Sequence, residues 1–163
     1  MQKNRISYII VNYKKAIYTY RASIIFYWKS ILQTEALNKG LAGKMIKAAL
    51  IAEDDADLRS YLCELLSMIA PEWEIECAVN GVTASEKVKA YSYEIILSDY
   101  DMPQMNGIEL FLSLKKTGYK GKFFLMSGHR LDKSLVSKLG MDGFLSKPFS
   151  TATLKKIFKK RSL

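Results

Sequence analysis

From Ala48 onward the chain alternates between two hydrophobic periods. Five short apolar runs, at 48–52, 73–79, 94–98, 122–126 and 143–145, have the length and residue content of buried strands. Between and after them, the segments 57–70, 81–91, 107–117, 132–139 and 151–160 repeat their apolar residues at helical spacing. In the first of these, Leu58, Tyr61, Leu62, Leu65, Leu66 and Ile69 fall on one face. Gly118, Gly121 and Gly140 punctuate helix ends, and Ser150 or Thr151 can cap the last helix. Strands that alternate with helices in this way predict an α/β fold, with a parallel sheet covered on both faces.

The polar residues that interrupt the pattern are not scattered. Glu53 and Asp54 follow the first predicted strand, Asp99 ends the third within "EIILSDYDMPQMNGIEL", Ser127 follows the fourth, and Lys147 follows the fifth. All therefore sit at carboxyl ends of strands, the edge of an open α/β sheet where ligands bind. Three carboxylates gathered there raise one another's pKa, and a divalent cation relieves that conflict. An all-oxygen donor set suits Mg²⁺. Lys147 and Ser127 add a fixed positive charge and a hydroxyl donor, which complete a place for a group with negative oxygens. Phosphoryl transfer asks chiefly for positioning and charge neutralisation, and an aspartate can hold the phosphoryl group as an acyl phosphate.

These segments resemble those of the receiver domain of two-component response regulators, and most of all the single-domain, chemotaxis-type members. The resemblance runs from about Met45 to Leu163. "LIAEDDADLR" is similar to the family's acidic-pair segment, "ILSDYDMPQMNG" to its phosphoacceptor segment, "FLMSGH" to its Ser/Thr position and "GFLSKPF" to its lysine segment. The resemblance implies a flavodoxin-like doubly wound sheet of five parallel strands in the order 2-1-3-4-5, with five helices. It implies Asp99 as phosphoacceptor, assisted by Ser127 and Lys147, with Ser127 and Phe144 as the switch pair. It also implies Mg²⁺ held by Asp54, Asp99 and the backbone carbonyl of Asp101, with Glu53 reaching it through water. The expected donor is a sensor histidine kinase or histidine phosphotransfer protein, and the expected output a phosphorylation-dependent contact with a downstream protein. The Lys147–Pro148 bond is expected to be cis, as in relatives.

The chain departs from the family pattern in small ways. Glu53 stands where Asp is commoner, Gly128 where Ala is usual, and Phe144 in place of Tyr. Asp101 and His129 occupy the two positions that tune spontaneous dephosphorylation in the family. His129, the only histidine, reads most simply as a solvated loop residue.

Charge changes the picture only at the amino end. The net +9 arises because residues 1–47 hold nine Lys/Arg and one acid, Glu35, whereas residues 48–163 hold 16 basic and 15 acidic residues. We divide the chain into a basic, aromatic-rich extension, 1–44, and a receiver, 45–163. Ile, Tyr, Lys and Asn supply 21 of the first 44 residues, as unselected AT-rich DNA would when translated, and Met45 offers a native start. Competing readings are a partner-binding helix or one lying on an anionic membrane. No apolar run reaches the length of a membrane span, so a cytoplasmic setting is expected. Cys63 and Cys77 have no metal-type spacing and lie among apolar residues, so they are expected to be small core fillers in a reducing cytosol. No nucleic-acid motif accompanies the basic extension and no output domain is expected, so direct nucleic-acid binding is not. The expected role is that of a signalling domain that takes and loses its own phosphoryl group, not a turnover enzyme. The alternatives are a phosphorelay intermediate, a phosphorylation-independent binding module and, remotely, an aspartate-nucleophile phosphatase. This last class would want its Asp-x-Asp near the start of the fold.

Overall fold

The computed structural model describes residues 47–129 and 133–159. Five strands, β1 (Lys47–Ala52), β2 (Trp73–Ala78), β3 (Ile95–Asp99), β4 (Lys122–Ser127) and β5 (Gly143–Ser146), form one sheet in the order β2-β1-β3-β4-β5. Every pairing is parallel. The helices are α1 (Ala56–Ile69), α2 (Gly81–Ala90), α3 (Gly107–Lys116), α4 (Lys133–Leu139) and α5 (Thr151–Phe158). The expected fold class and strand order hold. The last helix ends at Phe158, with Lys159 as its C-cap.

Alternate residues of each strand feed opposite layers, as the two-residue repeat requires. Leu50, Ala52, Ile96, Phe123 and Leu125 pack with Leu110, Phe111 and Leu114 of α3, Ala84 of α2 and Val136 of α4. Ala49, Ile51, Ile95, Leu97 and Met126 pack with Leu62 and Leu66 of α1 and Leu154 and Phe158 of α5. The central strands β1 and β3 are thus apolar on both sides, and each fully buried Leu or Ile contributes roughly 1.5–3 kcal/mol.

Helix starts are fixed by caps that also shape the carboxyl edge of the sheet. Asp55 accepts the Leu58 N–H at 2.7 Å and caps α1. Of the three consecutive acids Glu53-Asp54-Asp55, the third is therefore committed to the helix. Asn106 caps α3 in a capping box with Glu109, closing the β3–α3 loop immediately after the site. Ser150 caps α5 as expected.

One expectation is corrected. Cys63 of α1 and Cys77 of β2 are not reduced core fillers but form a disulfide, with Cα atoms 6.8 Å apart. They stand 14 positions apart in sequence, yet both point into the layer between α1 and the sheet. Their spacing concealed this, because proximity across a helix–strand layer leaves no short motif. The extension 1–44 lies outside the described residues.

Candidate functional site

The carboxyl edge of β1, β3, β4 and β5 delivers its polar residues to one place. Glu53 is 1% exposed and Asp99 7%, whereas Asp54 is exposed at the rim. One carboxylate oxygen from each lies within 4.8 Å of the others. Lys147 reaches across from the β5–α5 loop, its Nζ 2.8 Å from Glu53 Oε2 and 3.0 Å from Asp99 Oδ1. With all groups ionised, three carboxylates and one ammonium leave a formal charge of −2.

Electrostatics follow from this crowding. Burial pushes the Glu53 carboxyl above the usual carboxylate range, and the Asp99 charge adds to the effect against the opposing hydrogen bond from Lys147. Burial alone would push the Lys147 ammonium down, but its hydrogen bonds to Glu53 and Asp99 outweigh this and hold it above the ordinary lysine value. The lysine stays charged, and with the acids ionised the cluster is two charges short of compensation. Hard oxygen donors with a net charge of −2 match the chemistry of Mg²⁺, which is commonly held by one or two carboxylates plus water. The residues fit the ion.

Backbone contacts set the acids in position. The Glu53 N–H donates to the Ala78 carbonyl of β2 at 3.1 Å. Arg59, in the first turns of α1, donates from Nη1 to the carbonyls of Glu53 and Asp54 at 2.9 and 3.0 Å. The Tyr100 N–H donates to Asp99 Oδ1 at 2.8 Å. Gly107 opens α3 directly against the site: a Cβ there would strike the Asp99 carbonyl and Leu125 Cδ1. The sequence reading missed the roles of Arg59 and Gly107. Arg59 stands within the quoted acidic segment, four residues after the cap Asp55, and that spacing was the available signal.

Ser127 ends β4 and is buried; its Oγ accepts the His129 N–H at 3.0 Å. The Lys147 N–H donates to the Ser127 carbonyl at 2.7 Å, which links the β4 and β5 ends. The Lys147–Pro148 bond is cis. Phe144 is half-buried beside the α2–α3–α4 layer and pairs in register with Leu125, two residues before Ser127. Asp101 lies on the exposed rim, where its Oδ2 meets His129 Nε2 at 3.5 Å. His129 is thus exposed, as read, but it faces an acid. At Gly128 a Cβ would meet nothing within 4 Å, so the strand end beside Ser127 is open.

Three comparisons bear on this arrangement. The family description "Response regulator receiver domain" matches residues 49–159. Among curated proteins, the "Transcriptional regulatory protein CpxR homolog" of Haemophilus influenzae is 34% identical over 106 residues, which is 64% of this chain and 45% of that protein. The chain spans about half the length of the curated relatives it matches. Among solved structures, the chemotaxis protein CheY4 of Vibrio cholerae aligns with a TM-score of 0.62 at 25% identity, covering 69% of this chain and 96% of that one. The response regulator protein TrrA of Thermotoga maritima, solved in complex with Mg²⁺–BeF, aligns with a TM-score of 0.61 at 27% identity, covering 68% and 95%. Among the described residues, no helix is long and apolar enough to cross a membrane.

Proposed function

Because the chain belongs to the response regulator receiver domain family, we propose that it takes a phosphoryl group onto Asp99, with Mg²⁺, from a phosphohistidine on a sensor kinase or phosphotransfer protein. One observation carries this reading: Asp99 is buried between a second buried acid, Glu53, and Lys147, with Asp54 completing a cluster whose charge only a cation balances.

The residues divide the work. Asp99 supplies the nucleophilic oxygen; its bond to phosphorus forms as the phosphorus–nitrogen bond breaks and the imidazole leaves. Asp54, Asp99 and the Asp101 carbonyl would hold the ion directly, and Glu53 through water. The bound ion would neutralise phosphoryl oxygens and bring the acids and the incoming group together. Lys147 exchanges one of its carboxylate contacts for a phosphoryl oxygen. Ser127 accepts from a backbone N–H, so its own O–H remains available to donate to a second phosphoryl oxygen. Its inward shift would draw the end of β4 and let Phe144 rotate into the vacated space, a small charge event biasing a two-state packing element. The output is contact with a downstream protein through that altered face. The domain acts stoichiometrically rather than as a turnover enzyme, in the cytoplasm with its donor. Residues 1–44 are an extension that the phosphoacceptor chemistry does not require.

The test is phosphorylation by acetyl phosphate or phosphoramidate, with and without Mg²⁺, on the wild type and Asp99→Asn. Intact mass and phosphate-affinity gels should show one Mg²⁺-dependent adduct that the variant lacks. An adduct retained by Asp99→Asn would reject the assignment of the acceptor. No adduct on a protein shown to bind Mg²⁺ would reject phosphorylation and leave a binding module.

A further inference from the structure

The acidic pair is held from two sides, and each side carries a cysteine. On one side is α1, where Arg59 donates to the carbonyls of both Glu53 and Asp54; Cys63 lies one turn further along the same helix. On the other side is β2, where the Ala78 carbonyl accepts the Glu53 N–H; Cys77 is the residue immediately before it. The two sulfurs are bonded, across a Cα separation of 6.8 Å at the upper edge of what a cystine spans. A ring therefore runs from Glu53 through Ala78 and Cys77 to Cys63 and back through Arg59, and the disulfide is the one link in it that redox chemistry can open. Both cysteines are half-buried rather than sealed, so an exchange partner can reach them. In the cytoplasmic setting proposed above, such a bond is characteristically transient or redox-sensing rather than structural.

We propose that Cys63 and Cys77 are a reversible dithiol–disulfide site whose state sets how firmly the acidic pair is held, and with it the affinity for the cation. The oxidant is a low-molecular-weight disulfide. One cysteine thiolate attacks a sulfur of the oxidant and expels the first reduced thiol. The second cysteine attacks the mixed disulfide and expels the other, so two electrons and two protons pass from the protein to the oxidant. Oxidation ties α1 to β2 and narrows the positions open to the loop between β1 and α1. A cation binding to the oxidised form then has less ordering to accomplish, and binds more tightly. Linkage makes the effect reciprocal: the cation must stabilise the disulfide against reduction by the same factor. The cation half of this proposal rests on the functional reading above; the cross-link and its grip on the loop do not.

The wild type, compared with itself, carries the test. The full chain is equilibrated across glutathione ratios, its remaining thiols are alkylated, and it is weighed intact. A single two-electron transition is expected, absent from Cys63→Ser and Cys77→Ser. Amide exchange over residues 53–59 should be slower in the oxidised form. Mg²⁺ titration by calorimetry should give a dissociation constant about 5-fold lower when oxidised, and saturating Mg²⁺ should make the bond about 5-fold harder to reduce. Two alkylatable thiols in excess oxidised glutathione would overturn the proposal, and so would exchange over 53–59 that ignores oxidation. If neither form binds Mg²⁺, the functional reading falls along with the cation half, while exchange still decides whether the cross-link grips the loop.

Discussion

Tyr93 stands just before β3 and Asp99 ends it, and both side chains are buried. Beside the amino end of β3 lie two phenols, Tyr93 buried and Tyr119 half-buried. Burial, and next the charge of Glu76, push the Tyr93 hydroxyl up and keep it neutral; Tyr119 lies alongside and donates its O–H to the Tyr93 carbonyl at 3.0 Å. At the carboxyl end the buried groups are two carboxylates and an ammonium within 3.0 Å. A buried neutral hydroxyl costs roughly 1–3 kcal/mol even when left without a partner, as that of Tyr93 is among the described residues, whereas a buried ion costs several kcal/mol. A fold that needed only to close its sheet would use phenols at both ends. On the reading proposed above the charges at one end serve a ligand, and only that end should respond to Mg²⁺ and to pH near neutrality.

The largest difference should come from Lys147→Met. It leaves Glu53 and Asp99 buried without their shared cation, and breaking a buried pair costs roughly 3–5 kcal/mol. Urea unfolding in Mg²⁺-free buffer at pH 7 should show that loss. It should shrink on adding Mg²⁺, which takes over the missing charge, and on acidification, as Glu53 takes up a proton. A loss indifferent to both would mean that Lys147 serves packing rather than charge.

Glu53→Gln should act with the opposite sign. The folded-state pKa of Glu53 lies above its unfolded value of 4.5. The folded protein therefore binds the proton more tightly, and the wild type loses stability as pH rises from 4.5 through the folded pKa. The glutamine variant has no such loss. In Mg²⁺-free buffer the two should melt together below pH 4.5, with the variant higher at pH 7. Mg²⁺ should then reverse the order, since only the wild type keeps the acid that would reach the ion. A variant that melts lower at pH 7 without Mg²⁺ would show that the Lys147 contact outweighs the burial of Glu53.

How much of this was legible depended on what each residue does. The sheet was legible because Ala49 to Ala52 and Ile95 to Leu97 are apolar on both faces, and only a covered parallel sheet asks for that. Glu53, Asp54, Asp99, Ser127 and Lys147 were legible because each interrupts or ends such a run with a group that resists burial. Arg59 and Gly107 were not, since they act through the backbone. An arginine bound to two carbonyls looks in sequence like any helix-surface arginine, and a glycine excluding a Cβ from the Asp99 carbonyl looks like any helix start. The meeting of Cys63 with Cys77, and of His129 with Asp101, depends on how layers and loops stack, which no local spacing encodes.

The smallest effect belongs to the amino end, and it is the control for the others. Tyr119→Phe removes one hydrogen bond to the Tyr93 carbonyl, worth about 1 kcal/mol. Nothing ties this hydroxyl to the acids at the far end of the strand, so phosphorylation by acetyl phosphate and its Mg²⁺ dependence should match the wild type. The pH behaviour separates the two ends further. Burial, and then the Asp142 charge, hold the Tyr119 phenol above its usual value of 10.0 in the folded state. Its contribution is fully present below pH 10 and is lost as pH rises beyond. Tyr93 is common to both proteins and cancels in the difference. Chemical unfolding should therefore find the gap between wild type and Tyr119→Phe constant across neutral pH, with no counterpart to the response of Glu53, and closing only in strong alkali. A gap that opened near neutrality, or that followed Mg²⁺, would mean that the two ends of β3 are coupled through the strand, and that the phenols belong to the same device as the acids.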